Sequence, residues 1–342
     1  MPSRTVLVTG SSGYIGKHVV LKLLNAGHRV RGSLRSLSRS GEVVEAVRQH
    51  VSDPSAIDRL SFVELDLESD AGWWSAMNGV DVLMHTASPF PLAQPRDAND
   101  LIRPAVDGTL RALRAARSAG VDRVILTASV ACIMYAGFPH TKEIYTEDDW
   151  SDGDSTALTP YTRSKTLAER AAWQFVEREA PEMRLTAINP GFVLGAPLDD
   201  HFGTSLSVIE RLLAGKDPMV PNVVLPIVHV KDVAAMHVNA IDNPVAEGRR
   251  FLGSAETMSL QTMAMVLKEA FPASKVVTRK APDVLIRMIA LFDRSIGTIL
   301  PDLGRRFGVS GAAARQVLGI DFVDAKATVI DSGQFLAARH NA

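Results

Sequence analysis

The sequence predicts an α/β fold in which a doubly wound, mostly parallel sheet is followed by a smaller C-terminal region. Short β-branched runs alternate with longer segments of helical period through the first two-thirds of the chain, which is typical of parallel strands joined by crossover helices. A glycine-rich turn follows the first of these runs. The 342 residues also exceed what one compact core usually needs.

The strand candidates are short apolar or β-branched runs bounded by polar residues or glycine. They cover 5–9, 29–35, 61–65, 81–87, 123–129 and 184–189. Between them, apolar residues at helical spacing in 15–24 and 101–113 predict two helices that each place one face on the sheet. This order of elements indicates a Rossmann-type sheet.

The alternation becomes irregular after residue 190 and then shows a strand followed by a helix at 227–241. We therefore predict a nucleotide-binding Rossmann domain with the catalytic residues at 1–190. Residues 191–342 are predicted to be mainly a substrate-binding region, with some segments returning to the first domain. The acidic, Gly- and Thr-rich segment 136–158 lacks a period and predicts a loop or lid beside the carboxyl ends of the strands.

Composition favours a small molecule as the partner. The formal net charge is −1, so long-range attraction to nucleic acid or to an anionic membrane is not expected. The single cysteine, Cys132, and an N-terminus that runs directly into a strand predict a cytoplasmic protein. The apolar stretch 284–292 is too short to span a bilayer and predicts a helix that packs on the domain. The histidine spacing indicates no metal site, and the chain is expected to be a monomer or homodimer.

The glycine-rich turn predicts a dinucleotide site. Glycines let the backbone turn sharply and approach a pyrophosphate, while free N–H groups at the start of the next helix face its negative charge. An ordinary strand-to-helix turn is the alternative, but the turn's place between a predicted strand and helix favours the dinucleotide. The expected contacts are Gly10, Ser12, Gly13, Tyr14, Ile15 and Gly16.

The end of the second strand indicates NADP(H) as the cofactor. A carboxylate there would bind the adenosine ribose hydroxyls of NAD, and none is present. Arg35, with Arg39 as a second candidate, can instead pair with a 2′-phosphate through its guanidinium, the alternative being a solvated basic loop. Asp66 and Leu67 are expected to contact the adenine, unless Asp66 only caps a turn.

Three residues form a candidate catalytic set. Thr159 and Pro160 predict a helix start, which places Tyr161 and Lys165 one turn apart on a shared face. Reduction of a carbonyl requires a proton for its oxygen, which Tyr161 can supply if the Lys165 ammonium lowers its pKa. Ser129, at the carboxyl end of a predicted strand, can donate a hydrogen bond to the same oxygen.

The chain resembles the extended short-chain dehydrogenase/reductases, and within them the dihydroflavonol-reductase-like carbonyl and aldehyde reductases. The resemblance rests on VTGSSGYIG, HTASPF, YTRSKTLAERAAW and INPGFVLG. It implies NADPH-dependent reduction of an aldehyde or ketone to an alcohol by hydride transfer, with Tyr161 as proton donor and with Tyr161 and Lys165 also contacting the cofactor. Further cofactor contacts are assigned by it to Thr86, Ala87, Ser88, Pro190, Gly191, Phe192, Val193 and Ser205.

Two departures from the family concern the substrate. The chain reads Leu-Thr-Pro-Tyr-Thr around the catalytic tyrosine where cinnamoyl-CoA reductases carry Asn-Trp-Tyr-Cys-Tyr, which disfavours a thioester. Met134 stands where plant dihydroflavonol reductases place a polar residue such as asparagine, which disfavours a flavonoid. Phe90, Met134, Phe138 and Phe202 predict an apolar substrate pocket, the alternative being that these side chains belong to the core and that the pocket is lined from beyond Gly215.

Two other functions remain open from the sequence. A nucleotide-sugar epimerase or dehydratase would use the same serine, tyrosine and lysine but retain its cofactor. A non-enzymatic redox sensor would bind NADP and a protein partner, and such proteins usually lack the Tyr-x-x-x-Lys pair that is present here.

Overall fold

The computed structural model describes residues 2–89 and 97–341, and within them the side chains of 294, 295, 340 and 341 are left out. Phe90, predicted to line the substrate pocket, lies outside the described residues. No helix in these ranges is long and apolar enough to cross a membrane.

The strands are short, and most of them lie in the first two-thirds of the chain. They are β1 Thr5–Thr9, β2 Arg29–Leu34, β3 Leu60–Glu64, β4 Val82–His85, β5 Arg123–Thr127, β6 Ile144–Tyr145, β7 Arg184–Pro190, β8 Phe192–Leu194, β9 Val224–His229, β10 Arg249–Gly253, β11 Glu256–Ser259 and β12 Gly308–Val309.

The α-helices alternate with these strands up to β7 and then become the main elements of the C-terminal part. They are α1 Tyr14–Asn25, α2 Ser40–Arg48, α3 Trp73–Met77, α4 Asn99–Ser118, α5 Pro160–Arg178, α6 Thr204–Leu213, α7 Val230–Asn239, α8 Leu260–Ala270, α9 Asp283–Ala290, α10 Arg294–Gly297, α11 Ala312–Leu318 and α12 Ala325–Asn341.

The central sheet has seven strands in the order β10-β7-β5-β4-β1-β2-β3. Each neighbouring pair is parallel, which confirms the predicted Rossmann-type sheet. The chain passes from β1 outward to β2 and β3 and then returns to β4 on the other side of β1. This reversal opens a crevice between the carboxyl ends of β1 and β4, where ligands of such sheets bind.

Alternating side chains of β1 supply two cores on the two faces of the sheet. Val6 and Val8 pack with α1 residues such as Val19 and Leu23, while Leu7 faces the other way. Leu7 joins a core that includes residues of α3, α4 and α5. The sheet is thus covered on both faces, and its carboxyl edge is the side left to form a site.

The C-terminal part forms a third core and also adds to the central sheet. A small sheet of order β11-β9-β8 packs with α6, α8 and α12. The strand and helix predicted at 227–241 correspond to β9 and α7, and α7 packs against α1. β10 pairs with β7 at the edge of the large sheet, so residues after 190 contribute to both parts.

Three expectations differ from the structure in detail. β4 ends at His85 and β5 at Thr127, because the chain leaves the sheet there to form the loops of the site. Within 136–158, the two-residue strand β6 pairs with β12. The stretch 284–292 overlaps α9, but of this helix only Ile286 is buried, while Phe292 just beyond it is 92% exposed.

Candidate active site

The glycine-rich turn joins β1 to α1 and is closely packed. Gly10 has φ +66°, a backbone conformation that favours glycine. A Cβ at this position would lie only 2.9 Å from the Cα of Ala87. A Cβ on Gly16 would lie 2.3 Å from the Gly10 carbonyl oxygen. The turn therefore requires glycine at both positions for the helix to begin against it.

The N-terminus of α1 fits a phosphate group. Gly13 precedes the helix, no side chain caps it, and its first turn contains no acidic residue. The partial positive charge of the helix end therefore faces the cavity with neither a capping side chain nor a carboxylate of its own first turn to neutralise it. These features suit the pyrophosphate of a dinucleotide.

The loop after β4 is held against the glycine turn through Thr9. The hydroxyl of Thr9 lies 2.9 Å from Nδ1 of His85 and accepts a hydrogen bond from the amide of Ala87 at 3.1 Å. Thr86 donates its hydroxyl to the Thr9 carbonyl at 2.5 Å. Burial lowers the pKa of His85 to about 3, so this histidine is neutral at physiological pH. These contacts fix the position of two predicted cofactor residues relative to the turn.

Ser129, Tyr161 and Lys165 come together at the carboxyl edge of the sheet. Ser129 follows β5 and caps a short 3₁₀ turn at Val130–Cys132, accepting a hydrogen bond from the Ala131 amide at 3.1 Å. The α5 start predicted at Thr159 is confirmed, because the Thr159 side chain accepts from the Thr162 amide. Tyr161 is hydrogen-bonded to Ser129, and Lys165 lies one turn further along the helix.

Burial favours the uncharged forms of the tyrosine and the lysine. It raises the pKa of Tyr161 to about 12, although the hydrogen bond from Ser129 acts in the opposite direction. The pKa of Lys165 is lowered by burial, while the nearby Glu169 carboxylate acts in the opposite direction. The lowering of the tyrosine pKa that was expected from the sequence is therefore not found, because desolvation of the phenolate is the larger effect.

A buried ion pair that the sequence analysis missed lies behind this set. The Glu169 side chain is fully buried, and its carboxylate accepts from Nε of Arg250 at 2.7 Å. It also accepts from Nδ2 of Asn189 at 2.7 Å, and the same nitrogen donates to the Ser129 carbonyl at 3.1 Å. Glu169 lies one helical turn beyond Lys165, a spacing that signals a shared face but not these partners.

One cavity of about 460 Å³ joins the glycine turn to the catalytic set. It is lined by Gly10, Gly13, Tyr14, Ile15, Gly16, Thr86, Ser88, Thr127, Ala128, Ser129, Val130, Ala131, Met134, Tyr161, Lys165, Pro190, Gly191, Phe192, Val193, Gly203, Thr204, Ser205, Leu225 and Pro226. Leu225 and Pro226 come from β9, so part of the lining lies beyond Gly215. Most of the predicted cofactor contacts therefore surround the same space as the catalytic residues.

Some of the predicted cofactor contacts lie outside this lining. Ser12 and Ala87 flank it within the turn and the loop after β4, and Arg35 is exposed at the end of β2. The Asp66 carboxylate accepts from the Glu68 amide at 2.9 Å, which is the capping role considered as the alternative. Leu67 packs where a side chain on Gly108 would otherwise lie.

Two of the predicted substrate residues also pack away from the cavity. Phe138 lies edge-on to Tyr135, with ring centroids 6.2 Å apart, and Phe202 lies edge-on to Phe335 at 6.1 Å. Met134 is the one described residue of that set in the lining. Aromatic residues in neighbouring segments were expected to face the site, but each is taken up by a local cluster. No group of three or more potential metal ligands occurs within the described ranges.

Comparisons with known proteins identify the family of this chain. Residues 6–252 match the family model described as the NAD dependent epimerase/dehydratase family. The chain is 34% identical to cinnamoyl-CoA reductase CAD2 of Medicago truncatula over 81% of this chain and 84% of that protein. It is 29% identical to dihydroflavonol 4-reductase of Zea mays over 80% and 76%, respectively.

The fold is shared with the yeast methylglyoxal/isovaleraldehyde reductase Gre2, whose crystal structure was solved in complex with NADPH. The two structures have a TM-score of 0.81 at 25% identity, covering 98% of this chain and 99% of the other. These similarities confirm the resemblance to dihydroflavonol-reductase-like enzymes that was stated from the sequence. The chain belongs to the NAD dependent epimerase/dehydratase family.

Proposed function

We propose that this protein catalyses the NADPH-dependent reduction of an aldehyde or ketone to an alcohol, with Tyr161 as the proton donor. The observation that carries the proposal is the hydrogen-bonded pair of Ser129 and Tyr161, which faces the same cavity as the glycine turn and Lys165. An NADP-dependent oxidoreductase is also what its relatives indicate, since the solved neighbour Gre2 carries NADPH.

The residues of the chain divide the reaction between them. When bound, NADPH supplies the hydride that adds to the carbonyl carbon. Tyr161 gives its phenolic proton to the carbonyl oxygen, and Ser129 donates a hydrogen bond to that oxygen as negative charge develops. The Lys165 ammonium stabilises the phenolate left on Tyr161, which regains a proton from solvent before the next turnover.

The position of Arg35 supports NADPH over NADH. Arg39 is paired with Glu42 through two nitrogens at 3.1 and 2.9 Å. Arg35 is exposed and has no such partner within the described part of the chain. Its guanidinium is therefore available for the 2′-phosphate, the group that distinguishes the two cofactors.

The cavity lining favours an apolar substrate, aromatic or branched. Beside Ser129 and Tyr161 lie Val130, Ala131 and Met134, and β9 adds Leu225 and Pro226. Apolar contact gains about 25 cal/mol per Å² removed from water, whereas each buried hydroxyl without a partner costs about 1 to 3 kcal/mol. Isovaleraldehyde, a substrate named for Gre2, is a branched aldehyde of this kind.

The test replaces Tyr161 by phenylalanine and follows NADPH consumption with isovaleraldehyde. Loss of the transferable proton should lower kcat by about 10²- to 10⁴-fold, while NADPH binding is largely retained. Tyr145→Phe is the matched control, because Tyr145 is also fully buried but lies outside the cavity lining. Activity of Tyr161→Phe within tenfold of the wild type would refute the assignment.

The same assay separates the candidate substrates. We expect a higher kcat/KM for isovaleraldehyde or benzaldehyde than for dihydroquercetin or cinnamoyl-CoA, because the apolar lining beside Ser129 and Tyr161 offers few partners for several hydroxyls or for a second nucleotide. A preference for the flavonoid or the thioester would overturn the substrate proposal. Turnover of a nucleotide sugar without net NADPH consumption would favour the epimerase instead.

A further inference from the structure

The ion pair of Glu169 and Arg250 lies directly behind the catalytic set. The Glu169 side chain is 0% exposed and that of Arg250 is 8% exposed, so the two charges are screened little by water. Glu169 follows Lys165 by one turn of α5 and accepts two hydrogen bonds from the guanidinium, at 2.7 and 3.2 Å. A charge change here would therefore be felt at Lys165.

Arg250 is fixed in place by contacts other than Glu169. Its NH1 group donates to the carbonyl oxygens of Glu147 and Asp149, each at 2.8 Å. Its guanidinium also lies over the Trp150 ring, 3.6 Å from the ring centroid. Removing the glutamate charge would accordingly leave the positive charge where it is.

Glu169 also reaches Ser129 through one intermediate residue. Nδ2 of Asn189 donates both to the Glu169 carboxylate at 2.7 Å and to the Ser129 carbonyl at 3.1 Å. Asn189 is fully buried, and the two acceptors determine the orientation of its amide. The carboxylate thus helps to hold the backbone of the residue that contacts Tyr161.

Other groups facing the tyrosine and the lysine carry no compensating charge. Cys132, from the 3₁₀ turn after β5, has its pKa raised well above the usual value by burial and by Glu169, and is a neutral thiol. His85, from β4, is neutral because burial lowers its pKa to about 3. The charged group identified next to Lys165 is therefore Glu169 from its own helix, and Arg250 from β10 is ion-paired with it.

We propose that Glu169 is a positioning residue, which neutralises Arg250 one helical turn beyond Lys165 along the chain of contacts from α5 and holds Ser129 through Asn189. The inference rests on the proposed function, because it concerns the same tyrosine and lysine. It gives the buried ion pair a role in the reaction in addition to its place in the packing.

Removing the Glu169 charge should shift the pH dependence of the reaction in a defined direction. In Glu169→Gln the guanidinium of Arg250 is uncompensated, which disfavours the Lys165 ammonium and favours the Tyr161 phenolate. The pKa values of both groups then fall, so the catalytic proton is lost at lower pH. We expect the basic limb of kcat/KM for reduction to move down by about one pH unit.

The experiment compares four variants by pH profile and by thermal melting, with isovaleraldehyde and NADPH as substrates. Glu169→Gln should show the shifted limb. The double variant Glu169→Gln with Arg250→Met removes both charges and should return the limb to the wild-type pH, and Glu169→Asp, which keeps the charge, should not move it. Asp232→Asn is the matched control, since Asp232 is 6% exposed and bonds only the Val323 amide in the described chain.

The outcomes distinguish a functional from a merely structural ion pair. A structural role would lower the melting temperature of Glu169→Gln and leave its basic limb in place, and that result would overturn the proposal. So would a limb in Glu169→Asp that moves as far as in Glu169→Gln. If Tyr161→Phe retains activity, the proposed function itself is refuted. If Tyr161→Phe is inactive but the basic limb of kcat/KM in Glu169→Gln does not move, only the inference about Glu169 is refuted.

Discussion

The protonation state of Tyr161 is set by its burial. Because burial raises the pKa of Tyr161 to about 12, this residue carries its proton throughout the physiological range. Ser129 is hydrogen-bonded to it and can orient that proton toward a bound carbonyl. Tyr161 is therefore in the protonated form that the proposed reduction requires.

Arg35 decides the cofactor in our proposal, which gives a residue-scale prediction. Arg35→Ala should raise the dissociation constant of NADPH by about 10- to 100-fold, because a charge-assisted hydrogen bond contributes about 1.5 to 3 kcal/mol. The affinity for NADH, which has no 2′-phosphate, should change by less than threefold. Fluorescence titration of both cofactors measures the two values.

Arg48→Ala provides the control for charge alone. Arg48 is also exposed and lies at the end of α2, away from the cavity lining. Equal losses for NADPH and NADH in Arg35→Ala, or the same loss in Arg48→Ala, would show that Arg35 does not contact the 2′-phosphate.

Sequence reasoning reached those site residues whose geometry is local. The Thr159 cap and the spacing of Tyr161 and Lys165 are properties of one helix, so their shared face could be predicted. Glu169 depends on partners 20 and 81 residues away, Asn189 and Arg250. No local pattern predicts such contacts, because they follow from how the sheet and α5 pack.

Among the secondary-structure elements, the carboxyl ends of β4 and β5 were predicted less accurately than the strands themselves. The apolar pattern of β5 continues past its last paired residue, since Ala128 and Val130 are buried in the site rather than in the sheet. Burial without strand pairing has the same sequence signature as a strand. The predicted β5 was consequently two residues too long at the edge where the proposed catalytic residues lie, as was β4.

The turn between β1 and α1 gives a prediction for an element. In Gly16→Ala the new Cβ would lie 2.3 Å from the Gly10 carbonyl oxygen, so turn and helix must separate. We expect a loss of about 1 to 3 kcal/mol in the free energy of unfolding and at least a tenfold loss of NADPH affinity. Chemical denaturation and cofactor titration measure the two effects.

Gly41→Ala is the corresponding change in a helix with free space. No atom lies within 4 Å of the Cβ position on Gly41, which is in α2. Here alanine should stabilise the protein by about 0.5 kcal/mol and leave NADPH binding unchanged. Equal behaviour of the two variants would mean that the turn tolerates a side chain.

The whole molecule was predicted best where its architecture repeats. Crossover helices between parallel strands leave a regular alternation, which predicted six of the seven strands of the central sheet. The seventh, β10, follows the irregular part of the chain and was not predicted. The small sheet was not predicted, because β8 has three residues and β9 pairs with both β8 and β11 across distant parts of the chain. Short strands with non-local partners leave little periodic signal.

Cofactor binding should stabilise the molecule as a unit. The cavity is lined both by the Rossmann part and by residues beyond 190, so a ligand there links the two. At a concentration of NADPH 100 times its dissociation constant, the gain is about 2.7 kcal/mol, which corresponds to a rise in melting temperature of about 3 to 6 °C. A melting temperature unchanged by saturating NADPH would contradict the placement of the cofactor in this cavity.

The pairing of β10 with β7 also determines when the central sheet can be completed during synthesis. About sixty residues separate the end of β7 from the start of β10. At 5 to 20 residues per second, a ribosome needs roughly 3 to 12 s to make them. For that time the outer side of β7, which is buried in the finished sheet, has unpaired N–H and C=O groups, so the nascent chain passes through an interval in which its sheet can pair with another chain.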